Sequence, residues 1–384
     1  MNILWISGSR IVGGAERVTF QILGELRARD HRIAALYRQS PKFDAELHRI
    51  GIEAHPARLG GSLNLLAPLA IARALKVLRP HLALVTTSDE WVWASLVPRA
   101  GVGTKLVLAR HMALALPAKV RRLANRRADA VIAVSEAARA SLLRKPGIEP
   151  ARLHVISNPV RFPIRAQPPP LAARIESRRS LNLPAEGRWI GFFGGGEPQK
   201  GIRDVLIAVR QLQDCRGGCH LMVCGRPAKD SRLPSVDQMA AAYGLGGVVH
   251  DMGSIEEVET AITACDVIAI ATHASLSESA PLVALEAMAC GTPLAAYAVG
   301  GIPELLGSPE EGGVLVAPEN PEDLARQLRR LLTDTDLAMR GAMAALERAR
   351  ERFAPELAVD RYEALFTQLC GLPNQAHLAD RPGD

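Results

Sequence analysis

Aromatic side chains are scarce: the chain has 4 Trp, 4 Tyr and 7 Phe in 384 residues. That argues against a platform for single-stranded nucleic acid, which holds bases on exposed rings. No stretch approaches the roughly 18 apolar residues that a membrane-spanning helix needs. Arg10 and the pair Gly13–Gly14 interrupt the apolar start at once, so no secretory signal is expected. The six cysteines (Cys215, Cys219, Cys224, Cys265, Cys290 and Cys370) are then expected as free thiols in a cytoplasmic protein. Cys215 and Cys219 lack a second pair or a histidine at ligand spacing, and no Asp-x-Asp or His cluster is placed to hold a metal. No metal and no resident cofactor are expected. The P-loop pattern G-x-x-x-x-G-K-[ST] is missing, and the first glycine-rich segment does not meet G-x-G-x-x-G, which weakens a nicotinamide or flavin reading.

What the chain has is alternation. Hydrophobic residues make up 48% and charged residues 22%, ordinary for a folded protein, and the length suggests two or three domains. Asn2–Ser7, Arg32–Tyr37, Leu82–Thr86, Lys105–Ala109, Ala130–Val134 and Leu153–Ile156 read as buried strands. Helical spacing separates them, as in Ala15–Arg29, Leu63–Leu78 and Ser135–Arg144. Prolines 159, 163 and 168–170 then break the pattern and mark residues 159–180 as a linker. A second series follows, with strands at Trp189–Phe193, His220–Cys224, Val248–Asp251, Val267–Ala271, Leu294–Tyr297 and Val314–Val316. Apolar strands alternating with helices predict parallel sheets covered on both faces, an α/β fold of two doubly wound domains. The expected domains are 1–165 and 166–353. A helix over 354–370, with Tyr362, Leu365, Phe366 and Leu369 on one stripe, is expected to pack back on the first domain, ahead of a flexible tail over 371–384.

Charge is split unevenly. Residues 1–165 hold 26 Lys and Arg against 11 Asp and Glu, a net +15, while the remainder holds 20 against 29, a net −9. The basic half should face something anionic. Its densest run is Lys119, Arg121, Arg122, Arg126 and Arg127, with no acid among them. Helical spacing puts Arg122 and Arg126 on one face. This run is expected as a patch resting on the anionic inner surface of the membrane, near a lipid-linked acceptor. Nucleic acid is not expected, because no arginine-aromatic groove is visible and the second half is acidic.

Three segments could carry chemistry. Gly13-Gly14-Ala15-Glu16-Arg17 opens the first helix, where glycines let backbone approach a phosphate and the helix terminus favours its charge. Gly194-Gly195-Gly196-Glu197-Pro198-Gln199-Lys200-Gly201 follows the first strand of the second series; it is expected as a diphosphate cradle, with Lys200 supplying a point charge. The third runs from Glu278 to Pro293. Pro281 suits a helix start, leaving Glu278 in the loop ahead, Glu286 inside the helix and the amides of Leu282 and Val283 pointing out of its first turn. Eight helical positions put the two carboxylates roughly 12 Å apart. That exceeds the roughly 5–9.5 Å of glycosidase pairs, so they would grip different parts of one long ligand.

Glu278-x7-Glu286 followed by Ala-Met-Ala-Cys-Gly-Thr-Pro resembles the signature of family 4 retaining glycosyltransferases of the GT-B fold. Gly13–Arg17, Val134-Ser135-Glu136, Val155–Pro159, Lys200-Gly201 and Ala264–Val267 resemble further segments of that family, over nearly the whole chain. The resemblance implies two Rossmann-like domains facing across a cleft. It implies metal-independent transfer, with retention, of a sugar from a nucleotide sugar such as a UDP- or GDP-sugar. The acceptor would be a glycan or a lipid-linked molecule, as in lipopolysaccharide or other cell-envelope polysaccharide synthesis. Glu286 would bind ribose hydroxyls, Glu278 hydroxyls of the transferred sugar, Lys200 and the Gly14 amide the diphosphate, and Arg226 and Ser254 the base. His111 matches a family histidine near the anomeric carbon. Two departures stand out: Gly195 or Gly196 occupies the place of a common arginine, and Ser279-Ala280-Pro281 replaces a common Gly-Phe-Gly. A sugar-nucleotide epimerase of the same architecture, or a non-catalytic nucleotide-sugar binder, are the alternatives.

Overall fold

Among the described residues thirteen strands form two sheets, and every pairing in the computed structural model is parallel. The structure describes all residues except 62–63, 100–102, 114–115, 146, 214–217, 228–229, 231, 277, 308–311 and 373–384. Cys215 and the tail from 373 onward lie outside the described residues. The chain divides into two compact units, Met1–Pro159 with Pro355–Asp384, and Val160–Ala354.

The first unit contains β1 (Asn2–Ser7), β2 (Arg32–Arg38), β3 (Glu53–Ala57), β4 (Leu82–Val85), β5 (Lys105–Arg110), β6 (Ala130–Ala133) and β7 (Leu153–Val155). They lie in the order β3-β2-β1-β4-β5-β6-β7. β4 and β6 read Leu-Ala-Leu-Val and Ala-Val-Ile-Ala and are buried throughout, as strands sandwiched between helices require. β3 has no such signal in the sequence. It is an edge strand, Glu-Ala-His-Pro-Ala, largely exposed, and its Pro56 is tolerated because an edge leaves one side of the ladder unpaired.

The carboxyl-terminal helix Pro355–Cys370 belongs to this unit. It buries Tyr362, Leu365 and Phe366, and packs on the helix Gly14–Ala28. Glu363 accepts a hydrogen bond from Arg29 Nη1 at 2.7 Å and pairs with His31 Nε2 at 2.8 Å. The arginine and histidine hold its carboxyl below the usual range against the opposing effect of burial.

The second unit contains β8 (Arg188–Phe192), β9 (Cys219–Cys224), β10 (Val249–Gly253), β11 (Val267–Ile270), β12 (Leu294–Tyr297) and β13 (Val314–Val316), ordered β10-β9-β8-β11-β12-β13. Two sequence expectations need correction here. Residues 160–165 are tied to this unit: Val160 N donates to Phe353 O at 2.8 Å and Arg165 N to Ala289 O at 3.0 Å. The stretch 159–180 is also not all linker. After the three prolines it turns into the helix Leu171–Ser180, whose Arg178 is 1% exposed. Its polar sequence hides this role, because the buried partner is an acid distant in the chain. Asp266 accepts from Arg174 Nη1 at 2.9 Å, from Arg178 Nη2 at 3.0 Å and from the Trp189 amide at 2.8 Å.

Among the described residues no helix is long and apolar enough to cross a membrane, and no group of three or more His, Cys, Asp or Glu is placed to hold a metal ion. The described cysteines are free, and burial pushes the Cys224 and Cys290 thiols up to about 12.

Candidate functional site

Each strand order reverses once: the chain runs outward through β1, β2 and β3 before β4 returns beside β1, and outward through β8, β9 and β10 before β11 returns beside β8. At such a switch point two successive crossovers leave in opposite directions and open a crevice at the carboxyl ends of the strands. The candidate residues gather at these two edges, one in each unit.

In the second unit the loop after β8 meets the loop after β11. Lys200, closing the short turn Pro198–Lys200, forms an ion pair with Glu278 through Nζ and Oε2. Thr272 Oγ1 donates to the same oxygen at 3.2 Å, and the Glu278 carbonyl accepts from the Gly301 amide at 3.1 Å. Gly300 makes that last contact possible. It sits at φ +58°, and a Cβ there would lie 1.9 Å from the Glu278 carbonyl oxygen. The backbone of the two loops is joined as well, His273 N donating to Gln199 O at 2.9 Å. Lys200 and Glu278 line a pocket together with Phe192, Gly194, Thr272 and Pro281.

The neighbouring strand ends are sewn together through glycine. Gly195 N donates to Cys224 O at 2.9 Å, Gly196 N to Arg226 O at 3.1 Å, and Gly225 N to Gly253 O at 2.7 Å. Gly195 has φ +57°, and a Cβ on it would lie 2.0 Å from the Arg226 carbonyl oxygen. Gly195 therefore fixes where Arg226 leaves the sheet. Arg226 and Ser254 are both exposed on these adjoining loops, after β9 and β10.

Pro281 caps the helix Leu282–Cys290 rather than beginning it, so Leu282 and Val283 are its first residues. First-turn amides have no acceptor within their own helix, and the helix dipole adds positive potential there. Glu286 lies one turn further in, 5% exposed. Its Oε1 stands 3.3 Å from Nη1 of Arg161. Glu278 and Glu286 thus engage different cations. Sequence reasoning missed Arg161, which sits in a proline-flanked stretch and lies over the ring of Phe162, 5.1 Å from its centroid. It also missed a polar cluster that holds the loop after β11, where Asp204 accepts from Tyr297 Oη at 2.9 Å and pairs with His273 Nε2 at 3.1 Å. Burial and Asp204 together raise the Tyr297 hydroxyl well above its usual value, so it stays a donor.

In the first unit Gly13 caps the helix Gly14–Ala28, and its amide donates to Glu16 Oε2 at 3.0 Å. The Gly13 amide is therefore engaged by its own helix, leaving Gly14 to open the first turn. His111 follows β5. Among the described residues neither ring nitrogen has a hydrogen-bond partner, and burial with the adjacent Arg110 lowers its pKa to about 4. At neutral pH the imidazole is uncharged.

The basic run needs one correction. Lys119, Arg122, Arg126 and Arg127 are exposed on the helix Ala118–Arg127, but Arg121 is 6% exposed and its guanidinium bonds the Leu116 carbonyl. It lies on the face turned to the core, where Ala124 is the other buried residue, so its charge is spent on backbone.

Residues 173–348 match the family described as "Glycosyl transferases group 1", and residues 12–162 match "Glycosyltransferase Family 4". The chain belongs to this group of glycosyltransferases, and its two parallel-sheet Rossmann-like units are those of the GT-B fold. Among curated relatives, the D-inositol 3-phosphate glycosyltransferase of Salinispora tropica is 33% identical over 246 residues, covering 61% of this chain and 49% of the relative. That of Corynebacterium efficiens is 32% identical over 212 residues, 54% of this chain and 47% of the relative. The chain spans about half the length of these relatives. Anabaena Alr3699/HepE in complex with UDP shares the fold, with TM-score 0.83 and 24% identity over 96% of this chain and all of that one.

Proposed function

We propose that the chain transfers a sugar from a nucleoside diphosphate sugar to a glycan or lipid-linked acceptor, with retention at the anomeric carbon and without a metal. The observation that carries this reading is the Lys200–Glu278 pair at the switch point of the second sheet, beside the first turn of the helix Leu282–Cys290. A cation beside the first-turn amides of that helix is what a leaving diphosphate would need, and a held carboxylate is what sugar hydroxyls would bind. The leaving diphosphate would take the acceptor's proton on the face it departs from, so no carboxylate need attack. The protein's part is orientation and charge stabilisation by Lys200 and the helix terminus. Gly14, His111, Arg226 and Ser254 keep the roles that the family resemblance implies. UDP- and GDP-sugars are the donors to test first, and the Anabaena fold relative, solved with UDP and with UDP-glucose, favours UDP.

A melting screen against UDP, GDP, ADP and TDP sugars identifies the donor, because a ligand at 100 times its dissociation constant stabilises by about 2.7 kcal/mol. With that donor, Glu286→Gln is expected to weaken free nucleoside diphosphate and intact nucleotide sugar alike. The loss of a charged hydrogen-bond partner costs about 1.5–3 kcal/mol. Glu278→Gln is expected to weaken the intact nucleotide sugar alone. Titration calorimetry of both ligands on both variants checks the split, and equal effects throughout would refute it.

We further propose that the first unit rests on the anionic inner face of the cytoplasmic membrane in envelope polysaccharide synthesis. Lys119, Arg122, Arg126 and Arg127 supply the charge, each worth about 1 kcal/mol near such a surface. The helix Ser88–Leu96 packs against both this helix and Ala67–Leu78, and Leu65, Leu66, Leu69 and Val77 are exposed on or just before the latter. Binding is expected to anionic but not zwitterionic vesicles, weakening as salt rises from about 50 to about 500 mM. Arg122→Glu with Arg126→Glu should abolish it in a flotation assay and leave nucleotide binding intact. Binding indifferent to lipid charge would favour a soluble acceptor.

A further inference from the structure

The switch point of the first sheet is closed by a buried acid that the transfer reading leaves without a task. Glu90 is 1% exposed, on the first turn of the helix Ser88–Leu96 that follows β4. Its Oε1 accepts from the Gly60 amide at 2.7 Å, on the loop after β3. Its Oε2 accepts from Thr87 Oγ1 at 2.5 Å, and that hydroxyl in turn accepts from the Gly8 amide at 2.9 Å, on the loop after β1. Three carboxyl-end loops of three strands therefore converge on one carboxylate. Among the described residues no Lys, Arg or His is within ion-pair distance of it. Its charge is held by these donors and by the positive end of the helix dipole.

Two glycines show how closely the loops are drawn in. A Cβ on Gly8 would lie 2.3–2.4 Å from the carboxylate atoms of Glu90. Gly60 has φ +85°, and a Cβ there would lie 2.8 Å from the Gly8 carbonyl oxygen. Gly8 begins the segment that runs through Ser9 and Ile11 to Gly13, the cap of the helix whose first amide is assigned to the diphosphate.

We infer that Glu90 is a positioning residue: it sets the height and direction of the Gly8–Gly14 loop by binding that loop, through Thr87, to the loop after β3. The inference concerns how the loop is held for the reaction proposed above, and its turnover arm rests on that reading. Glu90→Ala frees the Gly60 amide and leaves the Thr87 hydroxyl that holds the Gly8 amide without its anchor, so exchange at Gly60 and Gly8, read by NMR, is expected to accelerate about tenfold. Glu90→Gln keeps an acceptor for Gly60 and a donor for Thr87 Oγ1, and is expected to stay near the native rates. Gly8→Ala pushes the carboxylate from its place and should reproduce Glu90→Ala. The double variant gives the new methyl room and should be no worse than Glu90→Ala alone.

In the turnover arm, release of nucleoside diphosphate from the donor that the melting screen identifies should fall about tenfold in Glu90→Ala and Gly8→Ala. Recovery in Glu90→Gln distinguishes positioning from general destabilisation. Native exchange at Gly8 and Gly60 in Glu90→Ala, or a harmless Gly8→Ala, overturns the inference. If Glu90→Ala fails to fold, Gly8→Ala carries the same comparison with every other side chain in place. A native chain that never cleaves any nucleotide sugar in the screen refutes the transfer reading instead, and the exchange rates still decide this one.

Discussion

Lys200→Ala is expected to lower turnover by about 100- to 1000-fold, the usual consequence of removing one preorganised charge-stabilising group from a reacting centre. The effect should fall on the chemical step. Lys200 is paired with Glu278, so a leaving diphosphate would share or replace a partner the lysine already has. Ground-state affinity for the nucleotide sugar should consequently fall less than turnover does. The resemblance implies a common arginine where this chain has Gly195 or Gly196, so on that reading a second cation on the diphosphate must come from elsewhere or be missing. Lys200→Arg should recover only part of the activity. A guanidinium is larger and planar, while Gly194 packs directly on the lysine stem: a Cβ there would lie 2.7 Å from Lys200 Cβ. Single-turnover kinetics with saturating donor check both variants. Near-native turnover in Lys200→Ala would remove it from the mechanism.

The largest effect on stability is expected from Asp266→Ala. The change removes three hydrogen bonds and leaves Arg178, 1% exposed, as a buried cation without its acid. Breaking one side of a buried pair costs about 3–5 kcal/mol, mostly through the uncompensated charge. Arg178 keeps three carbonyl acceptors, Ala264 at 2.8 Å, Ala185 at 3.0 Å and Gly187 at 3.5 Å, which places the cost toward the lower end. Exposing a truncated second unit to urea, with circular dichroism as the readout, would mix folding with truncation, so the full chain is the proper subject. Hydrogen exchange in β8 and β11 should rise far more than in β1 and β4. Equal loosening of both sheets would mean the network is not local to its unit.

The repeating strands were legible because a parallel strand is buried on both faces and writes itself as an uninterrupted apolar run, as Leu82–Val85 does. Glu53–Ala57 was not, since an edge strand needs no such run. At the site, Glu278, Glu286 and Lys200 were visible from glycine, proline and helix-start chemistry. Their partners were not. Lys200 and Glu278 are 78 positions apart, and only the return of β11 to the side of β8 brings them together. Arg161 reads as a linker residue, and nothing near it in sequence announces Glu286. Arg121 shows the opposite error. Counting charges along 119–127 treats every arginine as solvated, whereas a guanidinium with five donors can be buried against backbone carbonyls.

The helix Pro355–Cys370 completes the unit that Met1 begins, and that arrangement bears on how the protein is made. The second unit is continuous in sequence and can finish as soon as Ala354 leaves the ribosome. The first cannot: the helix Gly14–Ala28 waits for Tyr362, Leu365 and Phe366, and Arg29 and His31 wait for Glu363. At roughly 5–20 residues per second, the interval from Pro159 to Pro355 is about 10–40 s of translation. Throughout it the nascent chain carries an uncovered apolar stripe on the helix Gly14–Ala28, which is a window for chaperone capture.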